Sequence, residues 1–191
     1  MAEGNLFQGK LVRLTAENTD TVAEHFSRWN RDSGYWRLLA AEPATPYSVK
    51  QIKEFVEKEL LSQDSGTFFF MIRSLEDDRI IGEIGLDGVQ WNHGDTYVGI
   101  SIGERELWSK GYGTDAMQVL LRFAFDELNL HRVSLTVFEY NPRAIRSYEK
   151  AGFVVEGRER KFLDRDGKRW DVLYMGILRE EWLAKQADIA G

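Results

Sequence analysis

Ser109-Lys110-Gly111-Tyr112-Gly113-Thr114 is the segment of this chain best suited to chemistry. It follows a strand-like stretch and a short loop, and it opens a helix-like one. The first turn of a helix leaves backbone N–H groups unpaired and carries a partial positive charge. Glycines remove the Cβ atoms that would keep a ligand away from the backbone. The segment therefore offers a seat for a phosphate or pyrophosphate, with Lys110 as an added point charge. The same six residues also suit a tight turn ahead of a helix, so alone they decide little. A P-loop needs GxxxxGK[ST], which is absent. A Rossmann fingerprint fits Gly111-x-Gly113 followed by Ala116 only in part. That loop belongs in a first βα turn, whereas this one lies behind a run of antiparallel-looking strands, and Glu139 comes too late to hold a ribose.

A second candidate is the helix that opens at Asn141-Pro142, an N-cap followed by proline at the first helical position. It stops at Gly152, which suits a left-handed C-cap. Ala144, Ile145 and Tyr148 share one of its faces. Among carboxylates, Glu83 and Asp87 share one face of a strand, and Glu104 follows the end of the next. Each also reads as a solvated or structural group. His93 sits in a turn, His25 on an early helix and His131 at the start of a strand. No two histidines have metal-ligand spacing, so no metal is expected.

These groups need elements to position them. Residues 10–15 alternate as a strand. Thr21-Val22-Ala23-Glu24 reads as a capping box that opens a helix to about Asn30, and Ser48-Val49-Lys50-Gln51 reads as a second. The second helix puts Ile52, Phe55, Val56 and Leu60 on one face. Residues 67–74, 80–89 and 96–103 read as strands, with turns at 75–78 and 91–95. Met117, Leu120, Leu121, Ala124 and Leu128 give 114–128 a helical period. Residues 131–139 form a β-branched strand. A hairpin over 154–162 and 168–178 turns at Asp166-Gly167, and a short helix follows near 179–186. Strands and helices alternate, which is an α/β pattern.

Bulk composition excludes several classes. The 191 residues suit one domain with a real core, and 43% apolar content argues against disorder. The absence of cysteine removes disulfides, thiolate zinc sites and cysteine nucleophiles together. Neither a signal-peptide pattern nor a membrane-length apolar run is present, so a cytoplasmic protein with no membrane partner is expected. A net charge of −6 argues against nucleic acid and favours cationic or small partners. The basic residues between Arg158 and Arg169 interleave with acidic ones, as in a solvated hairpin.

Together, the glycine loop and Asn141-x-x-Ala144-x-x-x-Tyr148-x-x-x-Gly152-Phe153 resemble the core of the GNAT superfamily of acyl-CoA N-acyltransferases. The nearest branch contains the ribosomal-protein N-terminal acetyltransferases. The likeness runs in detail from about residue 96 to 160, and the strand order agrees across most of the chain. It implies an α/β (α+β) fold with a mixed, mostly antiparallel sheet of about seven strands, splayed between strands four and five and flanked by helices. It further implies one domain over 1–191, with a cofactor core at about 96–160 and acceptor-site helices at about 18–62.

The resemblance implies acetyl-CoA as co-substrate, with no metal. Its pantetheine arm would lie in the splay and pair with backbone near Ile102, a form of β-augmentation. Leu107, Trp108, Ser109, Lys110, Gly111, Tyr112, Gly113 and Thr114 would form the cofactor loop, with Asn141 and Ala144 beside it. The family usually has Gln or Arg where this chain has Trp108, so one polar contact is lost and the loop relies on its amides. Tyr148 would be the general acid that protonates the departing thiolate, since a phenol of pKa near 10 can do so. The base is open. Glu83 ranks first, ahead of Asp87, Glu104 and His93, and a water chain with no single base is equally compatible. Trp29, Tyr35, Trp36 and Trp91 would give the acceptor pocket aromatic faces for an ammonium group, with Glu42 adding negative charge.

The expected activity is N-acetylation of a primary amine: a protein N-terminus, polyamine, amino acid or amino-bearing antibiotic. A non-catalytic acyl-CoA-binding regulatory module is the alternative, and Tyr148 argues against it. A serine thioesterase would need GxSxG, which is absent. A homodimer is expected from the resemblance alone.

Overall fold

Alternating patterns resolve into seven strands, and the helical periods into six helices, in a computed structural model that describes residues 5–60 and 66–190. In chain order these are β1 (Val12–Thr15), α1 (Thr19–Trp29), α2 (Ser33–Leu39), α3 (Val49–Phe55), β2 (Phe68–Ser74), β3 (Ile80–Gln90), β4 (Asp95–Ile102), α4 (Tyr112–Arg122), β5 (Arg132–Phe138), α5 (Pro142–Ala151), β6 (Val154–Arg165), β7 (Lys168–Leu178) and α6 (Arg179–Ala190). Single π-type turns extend α3 and α4, over Val56–Leu60 and Phe123–Glu127. The last two residues of the expected 18–62 acceptor segment lie outside the described residues.

The strands form one sheet in the order β1-β2-β3-β4-β5-β7-β6. Every neighbouring pair is antiparallel except β4 and β5, which run parallel. That pair is joined only from Asp95 to Tyr97, against Arg132 to Ser134. Beyond Tyr97, β4 keeps β3 on one side and loses its partner on the other. The sheet opens there, as the family resemblance implies.

Apolar cores on both faces of the sheet hold this shape. On one face Ile84, Leu86, Val133, Leu135 and Met175 pack against Met117, Leu120 and Leu121 of α4. On the other, Val22, Ala23 and Trp29 of α1, Tyr35 of α2 and Ile52 of α3 gather over Met71. Each buried Leu or Ile contributes about 1.5–3 kcal/mol of transfer free energy, so these helices are fixed by the sheet face they cover.

Two local readings are corrected. The first helix is capped by Asn18, whose Oδ1 accepts from Thr21 N–H at 2.9 Å, so Thr21 lies inside the helix rather than at its cap. Helix α2 was not expected. Its N-cap Asp32 accepts from the N–H groups of Gly34 and Tyr35. At its far end, Arg165 of the hairpin donates to Ala40 O at 2.5 Å. A helix of seven residues is marginal alone, and these long-range contacts hold it. The Ser48 capping box forms as read, as does the Asp166-Gly167 turn, with both residues left-handed.

Candidate active site

The open stretch of β4 is the spine of a cleft of about 600 Å³. Its lining takes Gly99 and Ser101 from one face of β4 and Val98, Ile100 and Ile102 from the other. The cleft therefore runs through the sheet at the splay.

One end is made of backbone. Ser109 and Gly111 both have left-handed φ, +62° and +95°, and they turn the chain into α4. No side chain caps that helix, and its first internal bond runs from Asp115 N–H to Gly111 O. The amides ahead of Asp115 are left for a ligand. A Cβ built on Gly111 meets only Leu11, at 3.4 Å, so the space over the loop is open. Asp115 fastens the loop to the start of β1 by accepting from the N–H groups of Lys10, Leu11 and Val12 at 3.0, 2.7 and 3.0 Å. Thr114 Oγ1 and Ser147 Oγ, 2.8 Å apart, tie α4 to α5.

Trp108 does more than the sequence suggests. Its indole N–H donates to Ile102 O at 2.7 Å, which anchors the loop to the end of β4. The Arg143 guanidinium lies 3.6 Å from the centre of its ring and that of Arg105 lies 4.9 Å away. Burial, then repulsion from Arg105, pull Arg143 below the usual arginine range. A ligand anion would relieve both. Arg143, Arg146 and Lys150 all line the cleft from α5. Their i, i+3, i+7 spacing puts them on one helix face, a signal present in the sequence and missed there. The uncapped amides, open Gly111 and this basic face fit the phosphates of acetyl-CoA. Lys110 is exposed and lies outside the lining. The Tyr112 side chain is buried, with its hydroxyl 3.4 Å from Glu76, so only its amide can face a ligand.

The other end is made of side chains. In the β3–β4 ladder Glu83 stands opposite Ser101, Gly85 opposite Gly99, and Asp87 opposite Tyr97. Paired residues share a face, so two carboxylates lie on the same face as Gly99, which lines the cleft. Nothing lies within 4 Å of a Cβ built on Gly99. Burial pushes the Glu83 carboxyl up to about 7, against a hydrogen bond from Ser101 that pulls it down. Tyr148 is pushed up to about 12, first by burial and then by the Glu83 carboxylate, with Arg143 opposing. Glu83 and Tyr148 thus feel each other across the cleft. One titrates near neutrality, and the other keeps its proton throughout the physiological range. Asn141 is buried and caps α5, its Oδ1 accepting from Ala144 N–H at 3.2 Å.

Other sequence candidates stand elsewhere. Glu104 is engaged by Arg28 and by the Trp29 indole N–H at 3.0 Å. His93 lies in the exposed turn beside Asn92. Trp29 is buried in the α1 core, Trp36 packs on Tyr47, and Trp91 is 61% exposed on Phe68. Of the four expected acceptor aromatics, Tyr35 alone lines the cleft. Glu42 contributes only its carbonyl, to Arg165. Among the described residues, no cluster of three or more His, Asp or Glu side chains could hold a metal ion, and no helix is long and apolar enough to cross a membrane.

Comparison with known proteins agrees with this geometry. A family model described as an acetyltransferase (GNAT) domain matches residues 10–154. An SPbeta prophage-derived uncharacterized N-acetyltransferase, YokL of Bacillus subtilis, is 31% identical over 72% of this chain and 75% of its own length. Spermidine N(1)-acetyltransferase of Vibrio cholerae is 30% identical over 72% of this chain and 78% of its own. Among solved structures, the Vibrio cholerae spermidine N-acetyltransferase in complex with CoA and spermine superposes with a TM-score of 0.76 at 27% identity, covering 90% of this chain and 98% of that one.

Proposed function

Because the chain belongs to the GNAT acetyltransferase family, we propose that its cleft moves the acetyl group of acetyl-CoA to a primary amine with Glu83 and Tyr148 as the proton-handling pair. The enzyme is an acetyl-CoA-dependent N-acetyltransferase. Acetyl-CoA supplies an activated acyl carbonyl and a thiolate leaving group. The amides of Gly111, Tyr112, Gly113 and Thr114 hold its diphosphate, and Arg143 adds charge. Trp108, Ile102 and Leu107 shape the slot beyond them. Glu83 takes a proton from the incoming ammonium, which has no lone pair until it does so. The freed amine nitrogen bonds to the acyl carbon as the carbon–sulfur bond breaks; Tyr148 gives its proton to the departing sulfur and regains one from the acylated nitrogen.

One observation carries this reading: the Glu83 carboxyl, which burial pushes up, and the Tyr148 phenol face the same space beside the open edge of β4. A general base works best when its pKa lies near the working pH.

The acceptor is a small amine with a second positive charge, of the polyamine kind. It enters over Gly99, with Asp87 and Tyr97 at the outer end of the cleft. The spermidine-acetylating relative supports the same choice. A peptide N-terminus is the second reading, favoured by the apolar wall of Leu38 and Leu39 along the same cleft. A cytoplasmic, single-domain homodimer completes the proposal. Val154 and Val155, exposed on the edge strand β6, support the dimer.

Release of free thiol from acetyl-CoA is to be measured with spermidine, a set of N-terminal peptides, free amino acids and an aminoglycoside. Release that depends on an amine, and is greatest for spermidine, is the expected result. Tight acetyl-CoA binding with no amine-dependent release across the set would instead indicate a binding module.

A further inference from the structure

Glu83 is the end of a chain of hydroxyl groups. Ser101 stands directly opposite it in the β3–β4 ladder and on the same face, which places its hydroxyl to donate to the carboxyl and to pull that group down against burial. On its other side, Ser101 Oγ lies 2.6 Å from the Tyr35 hydroxyl. Tyr35 is 5% exposed and Ser101 4%, so the bond between them is largely shielded from water. Tyr35 is seated by its helix: Asp32 accepts from the Tyr35 N–H at 3.2 Å and is itself held by Arg105 Nη2 at 2.6 Å.

The order of donors follows from proton count. An ionised carboxylate only accepts, and a serine hydroxyl has one proton to give. If Ser101 donates to Glu83, then Tyr35 must donate to Ser101. Burial and the nearby Glu83 carboxylate both keep the Tyr35 proton in place, so the phenol has one to give. The reverse order would leave Glu83 without its donor and Tyr35 without an acceptor.

We propose that Ser101 and Tyr35 are positioning residues that hold Glu83 ready as a base, through a one-way hydroxyl chain running from Tyr35 to Ser101 to Glu83. The inference rests on the reading of Glu83 as base. The chain favours the ionised carboxylate and so opposes burial, which favours the neutral one. It also makes the base depend on α2: Tyr35 completes the chain only while that helix lies over the sheet. The titratable groups that feel the Glu83 charge are Tyr35 of α2 and Tyr148 of α5, Arg143 also acts on Tyr148, and Asp87 shares the Glu83 face four residues along β3. On the β2 side its ladder partner is Met71, which is neutral.

The test is a titration that needs no acceptor. Protein labelled at glutamate side-chain carboxyls with ¹³C is followed by NMR, with the Glu83 signal assigned by its loss in Glu83→Gln. In the wild-type protein Glu83 should titrate near 7. In Ser101→Ala its midpoint should rise by about one pH unit, since a lost hydrogen bond to the charged form raises a carboxyl. Ser101→Thr keeps the hydroxyl and should restore the midpoint, and Tyr35→Phe should give a smaller rise. The acid limb of acetyl transfer should move in step, costing about tenfold in rate below that limb, while acetyl-CoA affinity stays unchanged. A Glu83 midpoint that stays put in both Ser101→Ala and Tyr35→Phe would overturn the proposal, even if the rate fell. Should Ser101→Ala fail to fold, Tyr35→Phe decides alone. Full activity in Glu83→Gln would refute the base itself and take this inference with it, an outcome distinct from an unmoved midpoint.

Discussion

The two ends of the cleft are built by different means. The end proposed to hold phosphate is one short run, Leu107 to Thr114, which offers mostly backbone amides at a helix start. The end proposed to handle protons gathers Tyr35 from α2, Glu83 from β3, Ser101 from β4 and Tyr148 from α5. The first should tolerate many side-chain changes and fail when a Cβ intrudes. The second should keep its cofactor affinity and lose turnover when a single polar atom is removed.

The largest effect is expected at the phosphate end. Gly111→Val forces a β-branched residue to a φ of +95° and fills the space over the loop. Such strain costs of order 1–3 kcal/mol, and with the steric block it should weaken acetyl-CoA binding by about a hundredfold. Isothermal calorimetry reads this directly, and an affinity within twofold of wild type would put the cofactor elsewhere. Next comes Glu83→Gln, which should lower turnover by roughly 10²-fold, the scale of general-base catalysis, with acetyl-CoA affinity unchanged. In the wild-type enzyme the base must be ionised, so the rate should fall as pH drops through about 7. Glu83→Gln should lose that acid limb. A smaller effect is expected for Arg143→Met, which keeps the contact with Trp108 but removes the charge. Affinity should fall by about tenfold at low salt and by less at high salt. Equal losses at both would mean that Arg143 packs rather than binds anion.

This difference also explains what the sequence made legible. The glycine loop, the Asn141 cap and Gly152 are local features. Each lies within a few residues of the groups it serves, and each forms as its residue types require. The splay between β4 and β5 was accessible because the family resemblance carried it. Tyr35 was visible only as one aromatic among four, because its partner Ser101 lies 66 positions away and meets it through the α2–sheet packing. Helix α2 itself was missed, since its stability comes from Arg105 and Arg165 rather than from its own seven residues. Trp108 looked like the loss of a polar contact. Its indole N–H is in fact a donor to Ile102, a role set by how the loop folds back on β4. At the first helix, the Thr21 and Asn18 patterns overlap. Asn18 wins because its side chain, one residue ahead of the helix, reaches the Thr21 amide.

The most direct measurement is acetyl-CoA affinity and single-turnover acetyl transfer in Tyr148→Phe, determined side by side. The substitution removes one oxygen from a ring that packs on Phe153 and leaves the phosphate end untouched. The account predicts wild-type affinity with transfer slowed by roughly 10²-fold. Wild-type transfer would contradict it, as would a loss of affinity large enough to explain the loss of rate.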